Sequence, residues 1–238
     1  MQKIKAIFCW SGGKDSALCL YEVLNEGKYD IKYLLTTLNG GFKRISMHGV
    51  REELLDKQTA AIGIPLIKMY VDGSSNAEYE QNMEKRLLEA KSEGIEHIIF
   101  GDIFLEDLRS YREKNLARIQ MTAVFPLWKR DTKELIEHFL DLNFKTITCC
   151  VNDAYLGEQQ VGEEIDAAFI RSLPQQVDPC GENGEFHTFC YNGPLFKHAV
   201  AFSRGEKVYK PLELKTDDSV CASPSVTKGF WYCDLIPN

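Results

Sequence analysis

Residues 4–20 read Ile4-Lys5-Ala6-Ile7-Phe8-Cys9-Trp10-Ser11-Gly12-Gly13-Lys14-Asp15-Ser16-Ala17-Leu18-Cys19-Leu20. The apolar run Ile4 to Cys9 predicts a strand and the glycine pair a turn. Ala17, Leu18, Leu20, Tyr21 and Leu24 predict a helix, with Gly27 at its C-terminal cap. Glycines let the backbone approach an anion, the amides that open a helix lack partners within it, and the helix dipole favours negative charge at that end. A phosphate suits this turn, with Lys14 as a point charge and Ser11 and Ser16 as hydroxyl donors. The pattern is not GxxxxGK[ST], because Asp15 follows the Gly-Lys pair and Phe8 occupies the place of the first glycine; nor is it GxGxxG. From the residues alone, an anion cradle competes with an ordinary glycine-rich turn.

SGGKDS directly after an N-terminal strand resembles the pyrophosphate loop of the ATP pyrophosphatase (PP-loop) superfamily. That resemblance implies a Rossmann-like, HUP-type domain that splits ATP between its α and β phosphates and usually adenylates a substrate.

Composition sets the class. A chain of 238 residues with 44% hydrophobic content is an ordinary globular protein of one large domain, or a main domain with a small appendage. No membrane-length apolar run and no signal-type segment stand out, so a cytoplasmic location is expected. A net charge of −7 disfavours a nucleic-acid partner. The eight cysteines form no CxxC pair and are expected to be reduced. Cys180, His187, Cys190 and His198 match no zinc spacing.

Along the chain, strands are predicted at Ile31 to Leu38, Leu66 to Val71, His97 to Phe100, Ala123 to Trp128 and Lys145 to Val151. Helices alternate with them over Val50 to Ile62, from a cap at Asn76 to near Gly94, Leu105 to Met121 and Thr132 to Leu142. This alternation predicts an α/β fold with a doubly wound parallel sheet over residues 1–151. A smaller α+β substrate domain is expected over residues 152–238, with Pro174 as an alternative boundary. Gly157 to Leu173 reads as one more helix, and β-ribbons are expected around 199–202, 207–214 and 229–235.

Ligands of such sheets gather at the C-terminal ends of the strands. That places the long loop Asn39 to Gly49, with His48, beside the phosphate loop as a nucleotide wall. Arg51 opens the following helix and either reaches a phosphate or is solvated. Gly101 and Asp102 end a strand on the same face, with Asp102 as a Mg2+ or substrate ligand or as a helix cap. Finally, Asp178-Pro179-Cys180-Gly181-Glu182-Asn183-Gly184-Glu185-Phe186-His187-Thr188-Phe189 gathers acids, polar side chains and glycines into a turn. Glu182, Glu185, His187 and Thr188 can converge there on a polar substrate, and a solvated hairpin turn is the plainer alternative.

SGGKDS, the SMHGVREELLDKQTAAIGIPL segment, GDI followed by PLW, and GENGEFHT before GPLF together resemble the diphthine–ammonia ligase family, in its bacterial type. The likeness implies an amide-forming ligase that converts ATP to AMP and pyrophosphate, adenylates a carboxylate and transfers ammonia, with ATP and Mg2+ as cofactors. It implies Ser11, Gly12, Gly13, Lys14, Asp15 and Ser16 as the pyrophosphate grip, with Gly101 and Asp102 flanking the nucleotide; His48 is set there only by its place in the loop, where it contacts the nucleotide or substrate or is a plain loop histidine. Glu182, Gly184, Glu185 and Thr188 take the substrate side. On the residues' own chemistry the expected catalytic groups are Lys14, to neutralise the leaving pyrophosphate, Asp102, and Glu185 or His187 as general base. The chain departs from the family at His187, where diphthine-forming members usually carry Glu in a segment like GEYET. Specificity lives in such contacts, so the acceptor carboxylate is left open. The sequence has no room for a glutaminase, which makes free ammonia or a partner the nitrogen source, and it leaves room for a homo-oligomer. The competing functions are a PP-loop RNA-modifying enzyme and a non-catalytic ATP- or AMP-binding module.

Overall fold

A computed structural model describes residues 2–71, 76–212 and 227–238, apart from the side chains of 76–78. The expected Asn76 side-chain cap, Cys221 and the end of the 207–214 ribbon lie outside the described residues.

The first half alternates as expected: β1 (Ile4–Cys9), α1 (Lys14–Glu26), β2 (Tyr29–Asn39), β3 (Arg44–Ile45), α2 (Glu52–Ile62), β4 (Leu66–Val71), α3 (Asn76–Ser92), β5 (His97–Ile99), α4 (Glu106–Arg118) and β6 (Thr122–Val124). Five of these strands are parallel, with β1 central between β2 and β5, β4 beyond β2 and β6 beyond β5. Only β3 is antiparallel, pairing Ile45 with Leu38 at the end of β2, so the expected long loop contains a short hairpin.

Alternation along β1 explains the double layer. Ala6 and Phe8 enter one core and Ile7 the other, as a strand buried on both faces requires. α1 and α2 close the first core with Leu18, Leu20, Leu54 and Leu55. Gly27 and Gly63 end these helices in the left-handed conformation.

After α5 (Thr132–Asp141) the chain leaves this sheet. β7 (Lys145–Asn152) was expected as a further parallel strand; instead it lies antiparallel between β8 (Phe186–Asn192) and β10 (Gly229–Pro237), with β9 (Phe202–Pro211) beyond β10. Its apolar and β-branched residues specify a buried strand but not the sheet it joins. By sheet membership β7 goes with the second, four-stranded sheet.

The expected helix over residues 157–173 is also broken. Gly162 takes φ 79°, and Ile165 N donates to Thr146 O, so this stretch follows β7 as extended chain. Only a 3-10 turn (Glu158–Gln160) and α6 (Ala167–Ser172) remain helical, and the Asp166 side chain caps α6 at Phe169 N. One core runs on from α1 and α2 into the second sheet, through Phe144, Ile147, Phe189 and Leu235.

Candidate functional site

Trp10 follows β1; its carbonyl accepts from Thr36 Oγ1 at 2.6 Å and its indole donates to Gln58 Oε1 at 2.8 Å. Gly12 follows with φ 81°, a conformation that favours glycine, and a Cβ there would meet the Gln58 side chain at 2.9 Å. Gln58 Nε2 donates to Gly12 O at 2.9 Å and to Cys190 O at 2.6 Å, while Cys190 N donates to Gly12 O at 2.8 Å. The loop is thus tied to β8 of the second sheet. Sequence reading missed Gln58, although a polar residue within the stripe of Leu54, Leu55, Ala61 and Ile62 was the available signal.

Within the loop, the Ser11 hydroxyl accepts from Gly13 N at 3.2 Å and lies 3.0 Å from Ser16 Oγ, which donates to Gly13 O at 3.0 Å. Gly13 caps α1, and its open side meets Thr188 Oγ1 at 3.1 Å and His48 Nε2 at 3.2 Å from a Cβ built there. Thr188 Oγ1 accepts from Lys14 N at 3.0 Å. A residue of the GENGEFHT segment therefore sits on the first turn of the phosphate helix.

Lys14 does not project into the cleft. Its side chain is 3% exposed, and Nζ is held by the Asp15 carboxylate at 2.6 Å and by the Cys180 carbonyl, above the Phe186 ring. Burial is the largest effect and opposes its charge; the Asp15 carboxylate, with Cys180 and Glu182 adding, outweighs it and holds the ammonium above its ordinary pKa.

Gly101 lies where α1 begins: a Cβ there would fall 3.3 Å from both Ser16 Cα and Ser16 N. Both oxygens of Asp102 face Arg112, at 2.8 Å from Nε and 3.2 Å from Nη2. Burial raises the Asp102 pKa and Arg112 opposes the rise. Arg112 hydrogen-bonds Oδ1 alone, and the buried Oδ2 is left without a hydrogen-bond partner, so Asp102 would offer Mg2+ one free carboxylate oxygen beside a guanidinium charge that opposes the ion. Among the described residues, no group of three His, Cys, Asp or Glu side chains is arranged to hold a metal.

The turn before β8 is folded around its own acids. Glu185 is fully buried and accepts from Asp178 N, Asn183 N and Asn183 Nδ2 at 2.9, 2.9 and 3.1 Å. Gly181 and Gly184 take φ 68° and 83°. Glu182 reaches across to the other sheet, where Oε1 accepts from Ile103 N at 2.8 Å and Phe104 N at 3.3 Å. Burial, helped by the Asp15 charge, pushes Glu182 up to about 7. His187 stacks on His48 with ring centroids 4.7 Å apart.

Arg51 reaches no open cleft; it pairs with Asp234 of β10 at 2.5 Å, and Arg44 joins the same carboxylate at 2.9 Å. Asp234 was not foreseen. It fixes the loop that carries His48. Burial pushes the Cys9 thiol to about 12 and the Cys180 thiol higher, which leaves both unreactive at neutral pH.

The structure thus brings Ser11, Gly12, Gly13, Asp15, Ser16, His48, Gly101, Glu182, Glu185, His187 and Thr188 to one junction of two sheets. Asp102 sits at its edge with Arg112, and Lys14 lies beneath it.

Comparison with known proteins follows the same two halves. The Diphthamide synthase N-terminal domain model matches residues 4–122, and the C-terminal domain model matches residues 131–214. The gap between them agrees with the change of sheet before β7. A diphthine–ammonia ligase of Danio rerio is 26% identical over 230 residues, covering 83% of this chain and 86% of that one. The Homo sapiens diphthine–ammonia ligase is 25% identical over 253 residues, covering 90% and 93%. Among solved structures, one described as a predicted subunit of tRNA methyltransferase from Methanocaldococcus jannaschii aligns at 17% identity and a TM-score of 0.45, over 80% of this chain and 97% of that one. No helix among the described residues is long and apolar enough to cross a membrane. With the N-terminal model matching residues 4–122 and the C-terminal model residues 131–214, and with curated relatives aligned over most of its length, the chain belongs to the diphthine–ammonia ligase family.

Proposed function

We propose that this protein is an ATP-dependent ligase that converts a carboxylate to an amide through an acyl-adenylate. The observation that carries this reading is the Lys14 N to Thr188 Oγ1 bond, 3.0 Å long, which joins the phosphate loop to the GENGEFHT segment. A nucleotide held by one would lie within reach of a substrate held by the other.

In the first step a substrate carboxylate oxygen attacks the α phosphorus of ATP, and the bond to the β-phosphate oxygen breaks to release pyrophosphate. The amides of Asp15 and Ser16 beyond the capped Lys14 N–H hold the departing oxygens, and the Ser11 and Ser16 hydroxyls, bonded to each other and to Gly13 in the free loop, turn to join them. Lys14, buried beneath, supplies positive potential and sets Asp15. Gly101 keeps the wall against α1 thin. In the second step ammonia attacks the acyl carbon, AMP leaves with the bridging oxygen, and the surplus proton passes to a base. Glu182, with its pKa near 7, is better matched to that task than Glu185, whose carboxylate is occupied by three N–H donors. Glu185 acts by shaping the turn.

The test uses ATP, 15N-ammonium and fractionated carboxylate-bearing metabolites or proteins. The expected result is AMP and pyrophosphate in equal amounts with one labelled amide formed per AMP. Tight ATP binding without any AMP across all fractions would replace this reading with that of a nucleotide-binding module.

A further inference from the structure

The imidazoles of His48 and His187 meet at the phosphate loop, partly buried, with planes 39° from parallel. His48 Nδ1 lies 3.4 Å from the Ser46 carbonyl oxygen. A carbonyl only accepts, so Nδ1 carries the proton, and the neutral ring presents Nε2 to the Gly13 side as a bare lone pair. A bare nitrogen repels a phosphate oxygen. Once protonated, the same nitrogen donates a charge-assisted hydrogen bond to it.

The groups around the pair leave it uncharged before a ligand arrives. From α1, Lys14 is bonded to Asp15 and repels a second positive charge. From the turn, Glu182 and Glu185 accept backbone N–H groups, and among the described residues neither is hydrogen-bonded to an imidazole. From the β3 to α2 loop, Arg44 and Arg51 are neutralised on Asp234 of β10. Cys150 of β7, opposite His187, is pushed to about 12 by burial, and burial raises Tyr232 of β10 as well, so both are neutral. Burial, with Lys14 adding, lowers His48 to about 4; burial, then His48 and Lys14, lower His187 to about 3.

We infer that the His48–His187 pair is a proton-linked clamp: a polyphosphate enters the SGGKDS loop together with one proton, which His48 Nε2 directs at a phosphate oxygen. This rests on the loop being the phosphate site. Two charges in rings 4.7 Å apart oppose each other, so the pair takes one proton, not two. The bound anion raises the pKa that burial had lowered. Affinity therefore rises as pH falls between the bound and free values, by up to about tenfold per pH unit.

The test is calorimetric titration of inorganic pyrophosphate into the full-length protein near pH 6, in two buffers of different ionisation heat. Wild type should take up close to one more proton than His48→Asn and bind about tenfold tighter, the two converging near pH 8. Protonation of pyrophosphate itself is common to both proteins and drops out of the difference. 15N histidine spectra of the wild type should show His48 passing from neutral to cationic on addition of pyrophosphate. Equal proton counts in the two proteins, or a His48 that stays neutral in the complex, would overturn the clamp while leaving the loop as the phosphate site. No pyrophosphate binding at any pH would overturn both.

Discussion

The Thr188 hydroxyl accepts the backbone N–H of Lys14 at 3.0 Å, so a residue of the second sheet caps the helix that carries the phosphate loop. Most helix starts are capped by a side chain two or three residues away, as Asp131 caps α5. Here Gly13 offers no side chain, and the acceptor arrives from 174 positions along the chain. Helix initiation and assembly of the two halves of the site thereby become one event. Thr188→Val keeps the shape but leaves a buried N–H without an acceptor, which costs about 1–3 kcal/mol. Thr188→Ser restores the oxygen and should recover most of it. Urea unfolding of the pair gives the answer; a valine variant as stable as the serine variant would remove this bond from the account.

Gly101 faces backbone, not a movable side chain. A methyl there would sit 3.3 Å from Ser16 N and Ser16 Cα, so either α1 or the loop after β5 must shift. Gly101→Ala is expected to cost about 1–3 kcal/mol in overpacking and to weaken ATP binding by roughly tenfold, because the strained contact is at the helix start itself. Calorimetry with ATP checks this, with a melting curve alongside to show that the variant folds. Unchanged affinity would mean that the nucleotide does not use this end of α1.

Glu182 makes stability depend on pH in an unusual direction for a carboxylate. Its folded value, about 7, lies above the ordinary value of 4.5, chiefly through burial, so the folded state prefers the protonated form. Stability from this group is complete below the ordinary value and declines as pH rises through about 7. Glu182→Gln keeps an oxygen for Ile103 N and Phe104 N but carries no charge. It should therefore be more stable than wild type at pH 8 by roughly 1–2 kcal/mol, the part-exposed side chain screening the rest, and equal to it near pH 4. Denaturation across that range decides it: parallel curves would mean that Glu182 is not desolvated as described. The same variant should lose turnover with little change in ATP affinity if Glu182 is the base.

The parallel sheet was legible because alternating strands and helices leave few alternatives, and the phosphate loop because glycines after a strand have a restricted set of uses. GENGEFHT stood out by its density of polar groups, and the structure brings its Thr188 against the first turn of α1. What could not be read were relations across sheets. Nothing in Lys145 to Asn152 shows that the strand turns antiparallel, because a buried strand looks the same in either sheet. Lys14 reads as a phosphate ligand because its charge is local information, whereas the Cys180 carbonyl that holds its ammonium beside Asp15 comes from a turn 166 residues away. Asp234 was unreadable for the same reason, since the arginines it neutralises lie 183 and 190 positions earlier.

Gln58 gives the sharpest test that the two sheets act as one site. Its amide accepts the Trp10 indole N–H and donates to the Gly12 and Cys190 carbonyls, all in a place with no exposure. Gln58→Leu preserves volume but orphans the indole N–H and the Cys190 carbonyl; Gly12 O keeps the Cys190 amide at 2.8 Å. Two unsatisfied buried groups imply a loss of about 3 kcal/mol. Trp10→Phe removes one of those groups in advance, so the double variant should lose at least about 1 kcal/mol less than the sum of the two singles. Nucleotide affinity should fall in step with stability, because the carbonyls that Gln58 holds belong to the phosphate loop and to the strand that carries Thr188. Additive losses would show that Gln58 and Trp10 act separately, and an unaltered affinity would show that the loop keeps its shape without the second sheet.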